Sequence, residues 1–344
     1  MNLDNVKKLF VFYHGPGCTD GISAAWCAKR YADIAGKEVK LISCRPNQES
    51  FDDFDLSELN QYSMPLLYDS VESKARILIF DTVPGIEFLK KLDDLNIYIE
   101  IHDHHKSNLD NIKQLEKFEN IYCNFDMNMS GAGLAWKRFF PYKPPHIIQY
   151  VQDRDLWTNK LEYCNEITAI IYNQPISVDT IQKYFDLWGY NDFNQEFYNS
   201  MKEGKIILES QQTQIDQIKQ KATIYDLFYH NIELCESTHE RVSIVNSCNY
   251  QSDVGNQLLE DQVDYSIIWY MKYSKSEGCF MAHLSFRGNN KIDLGKVAKR
   301  FNPDAGGHFN SAGATIPYSW WNEFLMNNMQ KFDLIPAILR DEQE

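Results

Sequence analysis

Short apolar runs separated by helical segments fill the first third of the chain. The runs predict β-strands because they are short, rich in β-branched and aromatic residues, and bounded by polar or glycine-containing segments. Residues 22–34 and 84–92 between them have the composition of helices. Strands that alternate with helices predict a parallel sheet of the α/β class. The predicted strands cover residues 9–13, 39–42, 76–80 and 95–101.

Ionisable residues follow three of these strands. Because the carboxyl ends of parallel strands meet at one edge of a sheet, we expect these side chains to lie close together. Imidazoles and carboxylates are metal ligands. Each group alone also fits an ordinary polar loop or strand–helix turn, but together they favour a metal site. In chain order the groups are His14 with Asp20, then Asp81, then Asp103, His104, His105 and Lys106.

Two later segments carry further candidates. The apolar residues 147–151 lead to Asp153 and Asp155, which fit either more ligands or the charged end of a helix. Further on, Gly306 and Gly307 precede His308. Paired glycines allow backbone N–H groups to approach an anion closely, although a glycine-rich turn with an incidental histidine fits as well.

The second half of the chain changes character. Residues 196–222 are polar with few apolar positions, which suits a helix that bridges two lobes. The sequence beyond them is rich in predicted strands. We therefore predict an N-terminal domain over residues 1–195, a helical linker over 196–222 and a smaller α/β domain over 223–344.

Composition narrows the function. The 344 residues include 48 acidic and 34 basic residues, a formal net charge of -14, which argues against tight binding to long nucleic acids. The eight cysteines form no close pairs and no secretory signal is evident, which predicts mostly buried free thiols in a cytoplasmic protein. No apolar run approaches the roughly 20 residues of a membrane span.

The order and spacing of these residues resemble a known family. His14, Asp20-Gly21, Asp81, Asp103-His104-His105 and Asp153 resemble the four motifs of the DHH phosphoesterase superfamily. Ser285-Phe286-Arg287, Ala305-Gly306-Gly307-His308 and Ala312-Gly313 resemble its associated C-terminal domain. The resemblance covers about residues 8 to 316. The superfamily includes RecJ-type exonucleases, nanoRNase/pAp phosphatases, cyclic-dinucleotide phosphodiesterases and family II pyrophosphatases.

The resemblance implies a role for each residue. Asp103 would orient the catalytic histidines and His105 would contact phosphate. In the C-terminal domain, Arg287 and Gly306-Gly307-His308 would hold the substrate. The implied metal ligands are His14, Asp20, Asp81, His104 and Asp153, with Asp155 as a substitute for Asp153. Of these, Asp81 would bridge two ions.

One position departs from the family pattern. The first motif usually reads Asp-x-Asp-Gly, but here Cys18 stands where the first carboxylate belongs. A thiolate can bind a softer metal such as zinc or iron, so Cys18 is either a ligand or a small packing residue. We expect retained activity with an altered metal preference.

The implied activity is hydrolysis of short oligonucleotides or small nucleotides, in the manner of nanoRNases, with two divalent ions activating water. Oxygen-rich ligands with two imidazoles favour Mn²⁺, while Mg²⁺, Zn²⁺ and Fe²⁺ are compatible. The alternatives are a RecJ-like exonuclease, a cyclic-dinucleotide phosphodiesterase and a catalytically weakened nucleotide-binding regulator. A homodimer is also compatible with the sequence.

Overall fold

The computed structural model describes residues 3–45, 51, 54–62, 75–115, 117–190, 192–231 and 236–329. The chain divides into two compact units, residues 1–208 and 209–344. The division falls inside a helix, Gln195–Lys219, which covers most of the predicted linker. Each unit is described by itself below.

The first unit contains a fully parallel five-stranded sheet in the order β2-β1-β3-β4-β5. Its strands are β1 Lys8–His14, β2 Glu38–Cys44, β3 Ala75–Phe80, β4 Ile99–Asp103 and β5 Ile121–Phe125. Its helices are α1 Thr19–Ala35, α2 Ile86–Asp93, α3 Leu109–Leu115, α4 Gly131–Phe139, α5 His146–Asp155, α6 Cys164–Tyr172, α7 Val178–Trp188 and the start of α8 Gln195–Lys219. Two short 3-10 helices lie at Leu56–Tyr62 and Lys106–Asn108.

Side chains alternate between the two faces of this sheet. Leu9 and Val11 of β1 pack into the core that contains α1 and α4. Phe10 and Phe12 of the same strand pack into the core on the opposite face, with α2. Because both faces are covered, the central strands read as continuous apolar runs, which is typical of a parallel sheet.

Two features of the first unit differ from the prediction. The expected strand 95–101 begins only at Ile99, because Leu95 and Asn96 complete the turn after α2, with Asn96 in the left-handed region at φ 53°. Strand β5 was not predicted. It lies at the edge of the sheet and its residues are partly exposed, so it lacks the apolar run of a central strand.

The second unit contains a six-stranded sheet in the order β10-β11-β9-β8-β7-β6. All neighbouring strands are antiparallel except β7 and β8. The predicted α/β class, with a parallel first sheet and a second strand-rich unit, is confirmed. The strands are β6 Thr223–Asn231, β7 Glu236–Asn246, β8 Tyr265–Ser274, β9 Cys279–Gly288, β10 Gly306–His308 and β11 Ser311–Pro317, and the helices are α9 Gln251–Leu258, α10 Leu294–Phe301 and α11 Tyr318–Met329.

Free cysteines are less buried than predicted. Cys27, Cys44 and Cys164 are buried, Cys18, Cys123 and Cys279 are intermediate, and Cys248 is exposed. Cys123 and Cys279 lie in strands β5 and β9. Cys235 lies outside the described residues. Among the helices that the structure describes, none has the length and apolar character needed to cross a membrane.

A buried ion network attaches α4 to the sheet. The Glu100 side chain in β4 is 1% exposed and accepts hydrogen bonds from Arg138 of α4 at 2.5 and 2.9 Å. Arg76 lies 3.9 Å from the same carboxylate, and the His102 ring lies 3.4 Å from it. Burial would raise the pKa of Glu100, but the hydrogen bonds from Arg138 and His102 outweigh it and lower the pKa to about 2.

The first prediction concerns this network. Glu100→Gln should lower the free energy of unfolding at pH 7 by about 3 kcal/mol, because the partly buried Arg138 loses the charge of this carboxylate. Since the pKa of Glu100 is lowered from its ordinary value of 4.5 to about 2, its contribution is complete above pH 4.5 and is lost as the pH falls towards 2. Urea unfolding of the wild type and the variant from pH 7 to pH 2.5 would measure this.

Glu87→Gln is the matched control, because Glu87 is 76% exposed and pairs with Lys90 on the surface. We expect this change to cost less than about 0.5 kcal/mol at every pH. Equal losses for the two variants, or a Glu100→Gln loss that does not shrink in acid, would contradict a stabilising role for the network.

Candidate metal centre

Three neighbouring strands deliver their last residues to one edge of the first sheet. His14 ends β1, Asp81 follows β3, and Asp103 ends β4. In a sheet of order 2-1-3-4-5, the chain changes direction between β1 and β3, and ligands bind outside the carboxyl ends of the strands at that point. The fold thus gathers the strand-end residues that the sequence predicted.

Asp81 lies at the middle of this group. It is 2% exposed and has a left-handed backbone, with φ 61°. One carboxylate oxygen, Oδ1, lies 3.1 Å from His104 Nε2, and the other, Oδ2, lies 3.3 Å from His14 Nδ1. Since its two oxygens face different imidazoles, Asp81 can contact two ions at once.

Asp20, in the first turn of α1, faces the N-terminus of α4. Its carboxylate accepts hydrogen bonds from the backbone of Gly131 at 2.5 Å and of Ala132 at 3.0 Å. A Cβ on Gly131 would lie 2.5 Å from the Cβ of Asp81 and 2.8 Å from Asp20 Oδ2. Gly131 was not among the predicted site residues. The signal for it was a glycine directly after Ser130, which caps α4.

Cys18 joins the group through its sulfur. It caps α1, where its Sγ accepts the Gly21 N–H at 3.5 Å, and it donates to Asp81 Oδ2 at 3.3 Å. Burial raises the pKa of this thiol far above its ordinary range, and the charge of Asp81 raises it further. Loss of the thiol proton therefore requires a strong positive charge nearby.

Asp103 and His105 form a separate pair. Asp103 is fully buried, and its Oδ1 lies 2.8 Å from His105 Nδ1, while its Oδ2 accepts a hydrogen bond from Asn108 at 2.7 Å. The hydrogen bond with Asp103 raises the pKa of His105 to about 8, against the opposing effect of burial. Asn108 was not predicted. Lys106, a further candidate, is exposed in the turn that follows His105.

Of the two carboxylates at the end of α5, the structure brings Asp155 to the group and not Asp153. Asp155 Oδ2 lies 3.5 Å from His104 Nε2. Asp153 instead accepts hydrogen bonds from Thr158 Oγ1, from the Lys160 N–H at 3.0 Å and from the Leu161 N–H at 2.9 Å. The structure thus places Asp155, the predicted substitute, beside His104, whereas Asp153 faces the next loop.

The charges of this group fit divalent cations. Burial raises the pKa of Asp20, and the nearby charges of Asp81 and Asp155 raise it further. Burial would also raise the pKa of Asp81, but hydrogen bonds from His104 and His14 hold it well below its ordinary range. Within the described part of the chain, the ionic partners of these carboxylates are histidines. Because no Lys or Arg among the described residues pairs with these carboxylates, metal ions would balance their negative charge.

Three overlapping sets of side chains offer possible ligand atoms. Within each set, these atoms all lie within 4.8 Å of one another. The sets are His14 with Cys18 and Asp81, Asp81 with His104 and His105, and Asp20 with His104 and Asp155. Asp81 and His104 each belong to two of them.

The C-terminal candidates lie together in the second unit. Arg287 of β9 is paired in register with Ser311 of β11, which is paired with His308 of β10. The Arg287 guanidinium donates hydrogen bonds to Ser285 Oγ at 3.0 Å and to Ser252 Oγ at 2.6 Å. Residues Gly306–His308 are exposed and form a short strand where a turn was expected. A cavity of about 430 Å³ beside them is lined by Ser285, Gly306 and Gly313, among others.

Gly131→Ala should weaken Mn²⁺ binding by more than about tenfold, since its new methyl group displaces Asp20 and Asp81. Isothermal titration with Mn²⁺ measures the affinity. Gly133→Ala is the matched control on the same helix, because there the methyl group meets the flexible side chains of Gln152 and Met129. Equal affinities for the two variants would contradict the proposed contact of α4 with the ligands.

Asp155→Asn and Asp153→Asn should affect different properties, the first metal binding and the second stability. Asp155→Asn should weaken Mn²⁺ binding by about tenfold or more, with little change in the free energy of unfolding. Asp153→Asn should lower the free energy of unfolding by about 1–3 kcal/mol, because an amide nitrogen would face N–H and O–H donors. Mn²⁺ titration and urea unfolding of both variants separate the two roles. The reverse pattern would restore Asp153 as the ligand.

Comparison with known proteins gives one sequence relative and several similar folds. No family model matches the chain. An uncharacterized protein, R106, of Acanthamoeba polyphaga mimivirus is 26% identical over 314 residues, which are 88% of this chain and 66% of the relative, so the chain spans about two thirds of that relative's length.

Among solved structures, RecJ of Thermus thermophilus in complex with Mn²⁺ has a TM-score of 0.48 at 13% identity, over 94% of this chain and 52% of that chain. The pGpG-specific phosphodiesterase PggH of Vibrio cholerae has a TM-score of 0.44 at 11% identity, over 93% and 96% of the two chains. Both TM-scores lie below 0.5.

Proposed function

We propose that this chain is a metal-dependent phosphoesterase of the DHH type that hydrolyses short oligonucleotides or small nucleotides. The observation that supports it most is the convergence of imidazoles, carboxylates and one thiol around Asp81 at the carboxyl edge of the parallel sheet. Such a set of donors, with buried carboxylates whose ionic partners among the described residues are histidines, is what hydrolytic sites with two divalent ions require.

In this proposal, His14, Cys18 and Asp81 would hold one ion, and Asp20, His104 and Asp155 would hold the second, with Asp81 close to both sets of ligands. The oxygen and nitrogen donors favour Mn²⁺, and Cys18 would shift the preference towards softer ions such as Zn²⁺ or Fe²⁺. When bound, divalent ions supply positive charge to phosphoryl oxygens and promote ionisation of water.

His105 has a different function from the ligands. Its Nδ1 is held by buried Asp103, and its side chain is 39% exposed. With its pKa raised to about 8, the ring is protonated at neutral pH. It can therefore bind a phosphoryl oxygen and give a proton to the leaving oxygen. Asp103 acts through it by fixing the ring orientation.

The substrate is proposed to be small. The net charge of -14 opposes binding of a long polyanion. In the second unit, Arg287 and the exposed Gly306-Gly307-His308 strand provide one guanidinium and accessible backbone N–H groups for a phosphate or a base. This set suits a substrate with a few phosphates.

A nucleotide-binding regulator is the second candidate. Cys18 favours it, because a protonated thiol with a strongly raised pKa stands where a carboxylate would neutralise an ion. The remaining donors around Asp81 favour the enzyme.

The test is incubation with Mn²⁺ and a panel that includes RNA and DNA of two to five nucleotides, linear and cyclic dinucleotides, and 3′,5′-bisphosphoadenosine. We expect turnover of at least one short substrate. Asp81→Asn should lower its rate by more than about 100-fold, because Asp81 contacts both ion positions. Product release is measured by chromatography.

Asp33→Asn, at a 61% exposed surface position, is the control and should leave the rate unchanged. If the folded wild type binds nucleotides but turns over no member of the panel, the regulator replaces the enzyme. Full activity of Asp81→Asn would overturn the assignment of the metal centre.

A further inference from the structure

Trp157 has an unusual position and conformation. It follows α5 by two residues, its side chain is 65% exposed, and its backbone is left-handed with φ 55°. A bulky residue in this region is an outlier, and such residues persist only where the surrounding structure holds them.

Asp153 provides that hold. It is 7% exposed, and its carboxylate accepts hydrogen bonds from Thr158, Lys160 and Leu161, which span the loop just beyond Trp157. The backbone adds to this, since Trp157 N donates to Arg154 O at 3.0 Å. The buried Asp153 carboxylate thus fixes the loop that contains Trp157, and the Trp157 side chain remains exposed.

One face of the indole is already covered. The Arg154 guanidinium lies over the Trp157 ring, 4.2 Å from its centroid. A cation over the ring fixes its plane and leaves the opposite face for another planar group. The high exposure of Trp157 agrees with a free second face.

The loop adjoins the proposed metal centre. Asp155, two residues before Trp157, lies 3.5 Å from His104. Arg154, which covers the Trp157 ring, directly precedes Asp155 in the chain. Arg154 and Trp157 are therefore both within two residues of a proposed ligand.

A protein interface explains Trp157 less well. Thr158, Asn159 and Lys160, which follow it, are polar and exposed, so the indole is not part of a contiguous apolar stretch of the chain. Docking surfaces are larger and more continuous. A single oriented ring backed by a cation suits one planar ligand.

We infer that Trp157, backed by Arg154, is a stacking surface for a nucleobase of the ligand bound at the metal centre. The inference rests on the proposed function in taking nucleotides as the ligands. Base–aromatic stacking tolerates any base because every base has a π-face. Trp157 would therefore favour nucleotides over base-free phosphoesters without selecting a particular base.

The test measures binding by the full chain, without any need for turnover. AMP and ribose 5-phosphate, which differ by the base, are titrated calorimetrically into the wild type, Trp157→Ala and Trp157→Phe in the presence of Mn²⁺. We expect the wild type to bind AMP more tightly than ribose 5-phosphate. Trp157→Ala should weaken AMP at least about fivefold and leave ribose 5-phosphate unchanged, and Trp157→Phe should retain most of the AMP affinity.

Tyr273→Ala, at a 51% exposed aromatic position in the second unit, controls for the loss of any surface ring and should change neither affinity. Three results would overturn the inference: unchanged AMP affinity in Trp157→Ala, equal weakening of both ligands, or no binding of AMP by the wild type. AMP binding that depends on Trp157 without turnover of any phosphoester would sustain the stacking surface and reject the enzyme.

Discussion

Asp20 and Asp81 bring two acidic side chains into the interior next to each other, each only 2% exposed. Burying a carboxylate costs a great deal of free energy unless donors or opposite charges surround it, and a second carboxylate beside it increases the cost. The remainder of the centre provides compensation: the α4 N-terminus for Asp20, and His14 and His104 for Asp81. Because these are neutral or weakly basic groups, the acidic charge is only partly balanced, and a bound cation would complete the balance.

The geometry that permits this proximity is set by backbone features. The left-handed conformation of Asp81 turns its carboxylate back over the strand ends, while its N–H remains bonded to His102 O at 2.9 Å. Gly131 allows the positive end of the α4 dipole to reach both carboxylates, where a side chain would separate them. Beneath the same helix, the Glu100–Arg138 pair fixes α4 to β4. The position of α4 is thus determined by one electrostatic contact at its start and another near its end.

Much of the first unit could be predicted from the sequence because central parallel strands are apolar on both faces and end abruptly in ionisable residues. His14, Asp81 and the Asp103-His104-His105 segment follow directly from that pattern. Strand β5 of the first unit and helix α9 of the second could not be predicted, since an edge strand and a short polar helix carry weak periodic signals. The approach of Gly131 to Asp81 is a contact between residues far apart in the chain, which no local pattern contains. The assignment of separate partners to His104 and His105 depends on ring orientations that only the folded chain fixes.

The uncertainty between Asp153 and Asp155 has a physical origin in helix geometry. Successive residues of an α-helix are rotated by about 100°, so two carboxylates at positions i and i+2 face nearly opposite sides. The sequence shows two acidic residues but not the rotation of α5 about its axis. In the structure, Asp155 faces His104 and Asp153 faces the loop with Trp157. Since both carboxylates lie on one turn of α5, the proposed ligand of the metal centre and the anchor of the exposed indole are parts of one rigid element. A displacement of that turn would therefore affect metal binding and the orientation of Trp157 together.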